Sequence, residues 1–144
     1  MGRRLVFTRS REAEEAARIL VEALGLSYID VDRVFVTVSR GSSTRAFARI
    51  WGLPSPFVRL GVCKPMYVVE LVAENLRGAG CDVLVETLIH ELLHIPRSFS
   101  GGLRSHGEWS RPSNVRRLAR SLPREVRLRV CALLRRALEG GEEE

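Results

Sequence analysis

The sequence points to an α+β domain, and three observations carry that reading. Apolar residues recur at helical spacing over residues 10–25 and again through most of the second half. Between those helical stretches, residues 31–73 hold alternating or β-branched runs separated by Gly, Ser and Pro. The balance of 45% hydrophobic and 28% charged residues is that of a chain able to bury a core. At 144 residues the length suits one domain, read as residues 1–139, with residues 140–144 a frayed acidic tail.

The elements follow in order. Ser10 is a fitting N-cap for a helix over 10–25. Glu12, Glu14 and Glu15 lie near its positive end, Ala13, Ala16, Ala17, Leu20, Val21 and Leu24 form one face, and Gly25 can end it. Residues 31–39 alternate, with Val34, Val36 and Val38 on one side, as a half-buried strand does. After the turn at 41–43, residues 44–51 are expected to return as the second strand of a hairpin. Gly52, Pro54 and Pro56 break the pattern, and 57–60 is expected as a short strand. Residues 66–73 read as another strand and 76–82 as a loop. A helix over 83–95 stops at Pro96, because the residue before proline avoids the helical region. A Ser- and Gly-rich loop over 97–111 precedes helices at 113–121 and 123–138.

Composition excludes several classes. No apolar run approaches the roughly 20 residues of a membrane helix. The basic, mildly apolar residues 1–7 run straight into a polar segment, so no secretory leader is expected and the location is read as cytoplasmic. Cys63, Cys81 and Cys131 are odd in number and widely spaced; they are expected to be small buried apolar residues and not disulfide partners. The net charge of +6 comes almost wholly from arginine, Lys64 being the only lysine. Asn75 and Asn114 are the only side-chain amides, which fits a hot-living source, whereas the excess of arginine over lysine is equally the mark of G+C-rich coding.

Chemistry concentrates in one segment. The three histidines of the chain are His90, His94 and His106. His90-Glu91-Leu92-Leu93-His94 is an HExxH motif on the predicted 83–95 helix, and positions i and i+4 share a helical face, so both imidazoles can reach one metal ion. The remaining positions from Leu88 to Ile95 are all Leu or Ile, so the helix should be buried. Polar groups on a buried helix need partners, and a metal with its water would satisfy two histidines and a glutamate together. Glu91 is placed to act as general base rather than ligand. A catalytic zinc takes three protein ligands, and His106, returning over Gly101-Gly102, is the favoured third. Glu108 is its competitor as a carboxylate ligand, with Glu86 and Glu70 weaker ones.

HExxH, a loop, and then Ser105-His106-Gly107-Glu108-Trp109 resembles the SprT/Spartan-like zinc metallopeptidases. The wider stretch resembles archaeal and phage predicted metallopeptidases. The segments that carry the likeness are Ala48-Arg49-Ile50-Trp51-Gly52-Leu53-Pro54, Tyr67-Val68-Val69-Glu70, the motif with Ile95-Pro96, and Phe99-Ser100-Gly101-Gly102-Leu103-Arg104. The resemblance implies a zincin-like fold, a small mixed sheet packed on the HExxH helix. It also implies one Zn²⁺ per chain on His90, His94 and His106, and hydrolysis of peptide bonds in a polypeptide substrate with Glu91 moving the proton. Arg104, Tyr67 and Trp109 are the candidate substrate or oxyanion contacts. The 66–73 strand is expected to offer a sheet edge to which substrate adds. A metzincin would carry Gly and His soon after the motif, where this chain has Arg97 and Ser100.

Two other functions compete. One is a nucleic-acid-associated hydrolase: a zinc nuclease, or a protease acting on DNA-bound proteins. Arginines 111, 116, 117, 120, 124, 127, 129, 135 and 136 crowd the C-terminal third. They are expected to spread around two helices with no interleaved aromatics, so a solvated basic surface is favoured over a nucleic-acid face. The other is a non-catalytic module in which zinc only staples the loop to the helix, which needs a fourth protein ligand.

Overall fold

The computed structural model describes residues 4–140. Four strands, β1 (Val6–Arg9), β2 (Val34–Arg40), β3 (Ala48–Trp51) and β4 (Tyr67–Val72), form one sheet in the order β1-β2-β4-β3. β2 and β4 run parallel, whereas β1 on β2 and β3 on β4 are antiparallel, so the sheet is mixed. Among the described residues six α-helices complete the fold: α1 (Arg11–Ala23), α2 (Ser55–Arg59), α3 (Ala73–Leu76), α4 (Cys81–Leu93), α5 (Pro112–Ser121) and α6 (Arg124–Glu139). This is the α+β, zincin-like arrangement expected, with the histidine-bearing α4 packed between β3 and the α5–α6 pair.

α1 forms as its sequence dictates. The Ser10 side chain accepts from Ala13 N at 3.1 Å, and Ala13, Ala16, Ala17, Leu20 and Val21 are buried against β2 and α6. Glu14 ties the helix to the sheet, receiving Arg9 Nε at 2.8 Å and the Val36 amide at 3.1 Å. The valines at 34, 36 and 38 all face the core. α4 is apolar nearly all round, and Leu84, Val85, Leu88, Ile89, Leu92 and Leu93 join one contiguous core with the sheet and with Val130 and Leu134 of α6.

Several expectations are corrected. Residues 44–51 do not make a hairpin with β2. Both sides of β2 are taken, by β1 and β4, and the strand is only Ala48–Trp51, paired to β4. The approach to it is held by side chains, since Asn75 Nδ2 donates to the carbonyls of Thr44 and Ala46 at 2.9 and 2.7 Å. The 57–60 strand is instead part of α2, whose Pro56 sits in the first turn, where a fixed φ favours helix. β4 is an interior strand, so the sheet edge beside α4 is β3. β1 and α3 had no counterpart in the sequence reading.

Cys81 and Cys131 are joined in a disulfide, contrary to expectation, and only Cys63 is free. The bridge links the first residue of α4 to the middle of α6, Cα atoms 5.4 Å apart, across 50 residues of chain. Wide spacing along the chain does not prevent pairing when packing makes two cysteines neighbours. α6 runs to Glu139, and residues 141–144 of the expected tail lie outside the described residues.

Candidate metal centre

The helical repeat places His90 and His94 on one face of α4, with His94 at the residue where the helix ends. Pro96 turns the chain out of the helix, and the loop that follows is pinned at its far end. Tyr67, wholly buried in β4, accepts from Gly101 N and donates to Gly102 O, both at 2.8 Å. Gly101 takes a φ of +96°, and its carbonyl receives the Leu53 amide at 2.8 Å. A side chain at Gly52 would meet that carbonyl, its Cβ falling 2.1 Å from the oxygen. From this anchor the chain returns beside α4, where Arg104 N donates to His94 O at 2.9 Å and Arg104 Nε to Leu93 O at 2.7 Å. His106 then arrives over the two helical histidines.

The ring nitrogens of His90, His94 and His106 lie within 4.8 Å of one another. His90 Nε2 and His106 Nε2 are 3.3 Å apart. Two nitrogens bound to one tetrahedral zinc at about 2.0–2.1 Å would stand about 3.3–3.4 Å apart, so the spacing fits such an ion. His94 Nδ1 donates to the Arg104 carbonyl at 2.8 Å, which fixes the tautomer and leaves Nε2 with its lone pair. Burial, and then the neighbouring histidines, hold the His90 imidazole below its ordinary pKa; burial foremost does the same for His94. Both are thereby kept neutral, the form that ligates metal.

Glu91 is 7% exposed, and burial pushes its carboxyl up to about 7. With His90 it lines a cleft of about 400 Å³, whose other walls come from Phe47 and Ala48 at β3, Val83 and Thr87 on α4, and Val115 on α5.

Among the described residues, these three histidines form the only His/Cys/Asp/Glu cluster with metal-binding spacing. Glu108 stays outside it, its side chain 85% exposed and paired with Arg111 at 3.3 Å. Glu86 lines the cleft without joining the cluster. Glu70 is committed elsewhere, accepting from Arg49 Nη2 at 3.1 Å and Trp51 Nε1 at 3.0 Å. Tyr67, a candidate oxyanion contact, has its hydroxyl engaged in both directions by the loop. Its observed role is to anchor the segment carrying His106. Trp109 lies against all three imidazoles, with ring centroids 4.8–6.0 Å away, stacked on His106, and its Nε1–H donates to Ser105 O at 2.9 Å. The Arg104 guanidinium sits 4.8 Å over the Trp109 ring. Trp109 therefore packs against the imidazole cluster, with the Arg104 guanidinium over its ring.

The sequence reading missed the Arg104 carbonyl behind His94 and the apolar cleft wall of Phe47, Val83 and Val115. A backbone carbonyl carries no residue signal, and an apolar side chain does not show in sequence whether it faces a core or a cleft.

No curated protein and no solved structure matches the chain. One family model does, over residues 6–128, a span that includes all four strands, the three histidines and Glu91. The chain belongs to the family described as "Putative phage metallopeptidase".

Proposed function

We infer that the protein is a zinc-dependent peptidase of the SprT-like kind, with His90, His94 and His106 as ligands and Glu91 as general base. One observation carries the reading: three imidazoles converge beside a buried carboxyl that opens on a cleft. An all-imidazole donor set suits zinc, and no fourth protein ligand stands near it among the described residues, which favours an open catalytic position over a closed structural one.

Zinc bound there would supply Lewis acidity toward the scissile carbonyl and lower the pKa of a neighbouring water. The remaining work falls to the chain. Trp109 and the Arg104 carbonyl keep the imidazoles aligned. The Glu91 carboxylate takes a proton from the attacking water and returns it to the leaving amine, a task suited to a carboxyl with a pKa near 7. β3 is the sheet edge next to the cleft, so an extended polypeptide can add to it through backbone hydrogen bonds. The apolar wall then receives one side chain beside the cleaved bond.

Disulfides persist in oxidising compartments and in the cytosol of hyperthermophiles. A cytoplasmic setting therefore goes with the hot-living source to which the scarcity of side-chain amides points.

The test is Glu91→Gln. It is expected to abolish cleavage of an unfolded protein substrate while metal content stays unchanged. Cleavage by that variant would refute the general-base role.

A further inference from the structure

Four of the nine arginines expected to be spread over a solvated surface are gathered by the fold. Arg116 and Arg120 of α5 and Arg124 and Arg127 of α6 line a single groove of about 300 Å³ between those helices and α4. None of the four guanidinium groups has an ion-pair or hydrogen-bond partner among the described residues. Other arginines of the same region do have partners. Arg111 pairs with Glu108, Arg117 with Asn114, Arg129 with Glu15, and Arg135 with the Ala79 carbonyl. Arg116, Arg120 and Arg124 are exposed and Arg127 is half-buried. Asp82 and Glu86 stand on the α4 wall and offset part of this charge without bonding to it. Four unpaired guanidinium groups around one concavity are an incomplete arrangement, since each presents a planar fork of donors matched to phosphate or carboxylate oxygens.

We propose that this groove binds the phosphate backbone of duplex nucleic acid. Charge complementarity selects the class, because a duplex offers one negative charge per roughly 1.7 Å of axis and can engage several guanidinium groups at once. The lining has no aromatic side chain, so it has no platform on which to stack unpaired bases. Binding is therefore sequence-independent and does not prefer single strands. Glu86 lines both this groove and the cleft beside His90, and Asp82, Glu86 and His90 follow one another at i, i+4 along one face of α4, which puts the duplex next to the cleft, toward the start of that helix.

The experiment is fluorescence anisotropy of the full chain against a labelled DNA duplex at varied salt, with circular dichroism confirming the fold of each variant. Four phosphate contacts give a log–log salt slope of about −3.6, so raising salt from 50 to 200 mM weakens binding by roughly 150-fold. The double variants Arg116→Gln with Arg120→Gln, and Arg124→Gln with Arg127→Gln, should each halve the slope, to about −1.8. Removing the same charge from exposed sites elsewhere, Arg11→Gln with Arg45→Gln, should leave it unchanged. Peptide cleavage, measured in parallel, should persist in all of these. No binding at low salt, equal loss in groove and control variants, or a strong preference for single strands would each overturn the proposal, whatever the peptidase assay shows.

Discussion

His94 and Arg104 are bonded to each other twice. The Arg104 amide donates to the His94 carbonyl at 2.9 Å, and His94 Nδ1–H donates to the Arg104 carbonyl at 2.8 Å. The first bond brings the return loop alongside the end of α4. The second fixes the imidazole tautomer so that Nε2 faces the other two histidines. Since both bonds use main-chain groups of residue 104, the pairing depends on the loop path and not on the arginine side chain.

That loop path is set by Tyr67. Replacing it with Phe would leave the buried Gly101 amide without its partner and would also free the Gly102 carbonyl, which belongs to an exposed residue. Each orphaned buried group costs about 1–3 kcal/mol. Tyr67→Phe is expected to lower stability by at least that much in urea unfolding and to weaken metal binding, because His106 lies on the loosened segment. Unchanged stability would mean that the loop holds its path without the hydroxyl.

Trp109 packs against all three imidazoles, stacked on His106, and turns its indole N–H back to Ser105. Removing such a support for a ligand typically lowers metal affinity by about 10- to 100-fold. Trp109→Ala is expected to show that loss in a competitive titration against a chromophoric zinc chelator. Trp109→Phe, which keeps a ring against the imidazole, should recover much of it.

Much of this centre was legible in the sequence. His90 and His94 announce a shared helical face by their spacing, and Pro96 with Gly101 marks where the chain can leave the helix and come back to bring His106. α1 and β2 were legible for the same reason, as their apolar periods are local. What was not legible depends on partners far along the chain. β3 pairs with β4 because β2 has no free edge, and nothing within residues 44–51 records that. α2 is short enough for one proline to decide it. Cys81 and Cys131 become neighbours only once α4 and α6 pack, and the groove of arginines appears only when α5 and α6 are set at their observed angle.

The disulfide gives a further expectation. In the chain-entropy view, a crosslink spanning 50 residues stabilises the fold by about 4 kcal/mol, near the top of the usual 2–4 kcal/mol range. Reduction, or Cys131→Ala, should lower the unfolding free energy by about 2–4 kcal/mol while zinc content stays at the wild-type level, since the metal site lies near the other end of α4.

Acid should unfold the protein partly through Glu70. Burial raises the pKa of this carboxyl, but hydrogen bonds from Arg49 and Trp51 and the Arg49 charge outweigh it, so the folded value lies below the ordinary 4.5. The unfolded chain therefore binds the proton first, and the ionised carboxylate stabilises the fold at any pH above 4.5. That contribution falls away as the pH drops below 4.5 and is gone below the folded value. Glu70→Gln should flatten the stability profile over this acid window, as read by thermal unfolding. An unaltered profile would assign acid sensitivity to other carboxylates.

The metal content of the purified protein, measured beside a His106→Ala variant, bears on the whole reading of the site. About one zinc per chain is expected in the wild type, with loss or severe weakening in the variant. Zinc fully retained by His106→Ala, or no metal in the wild type even after zinc is supplied, would contradict the three-histidine centre.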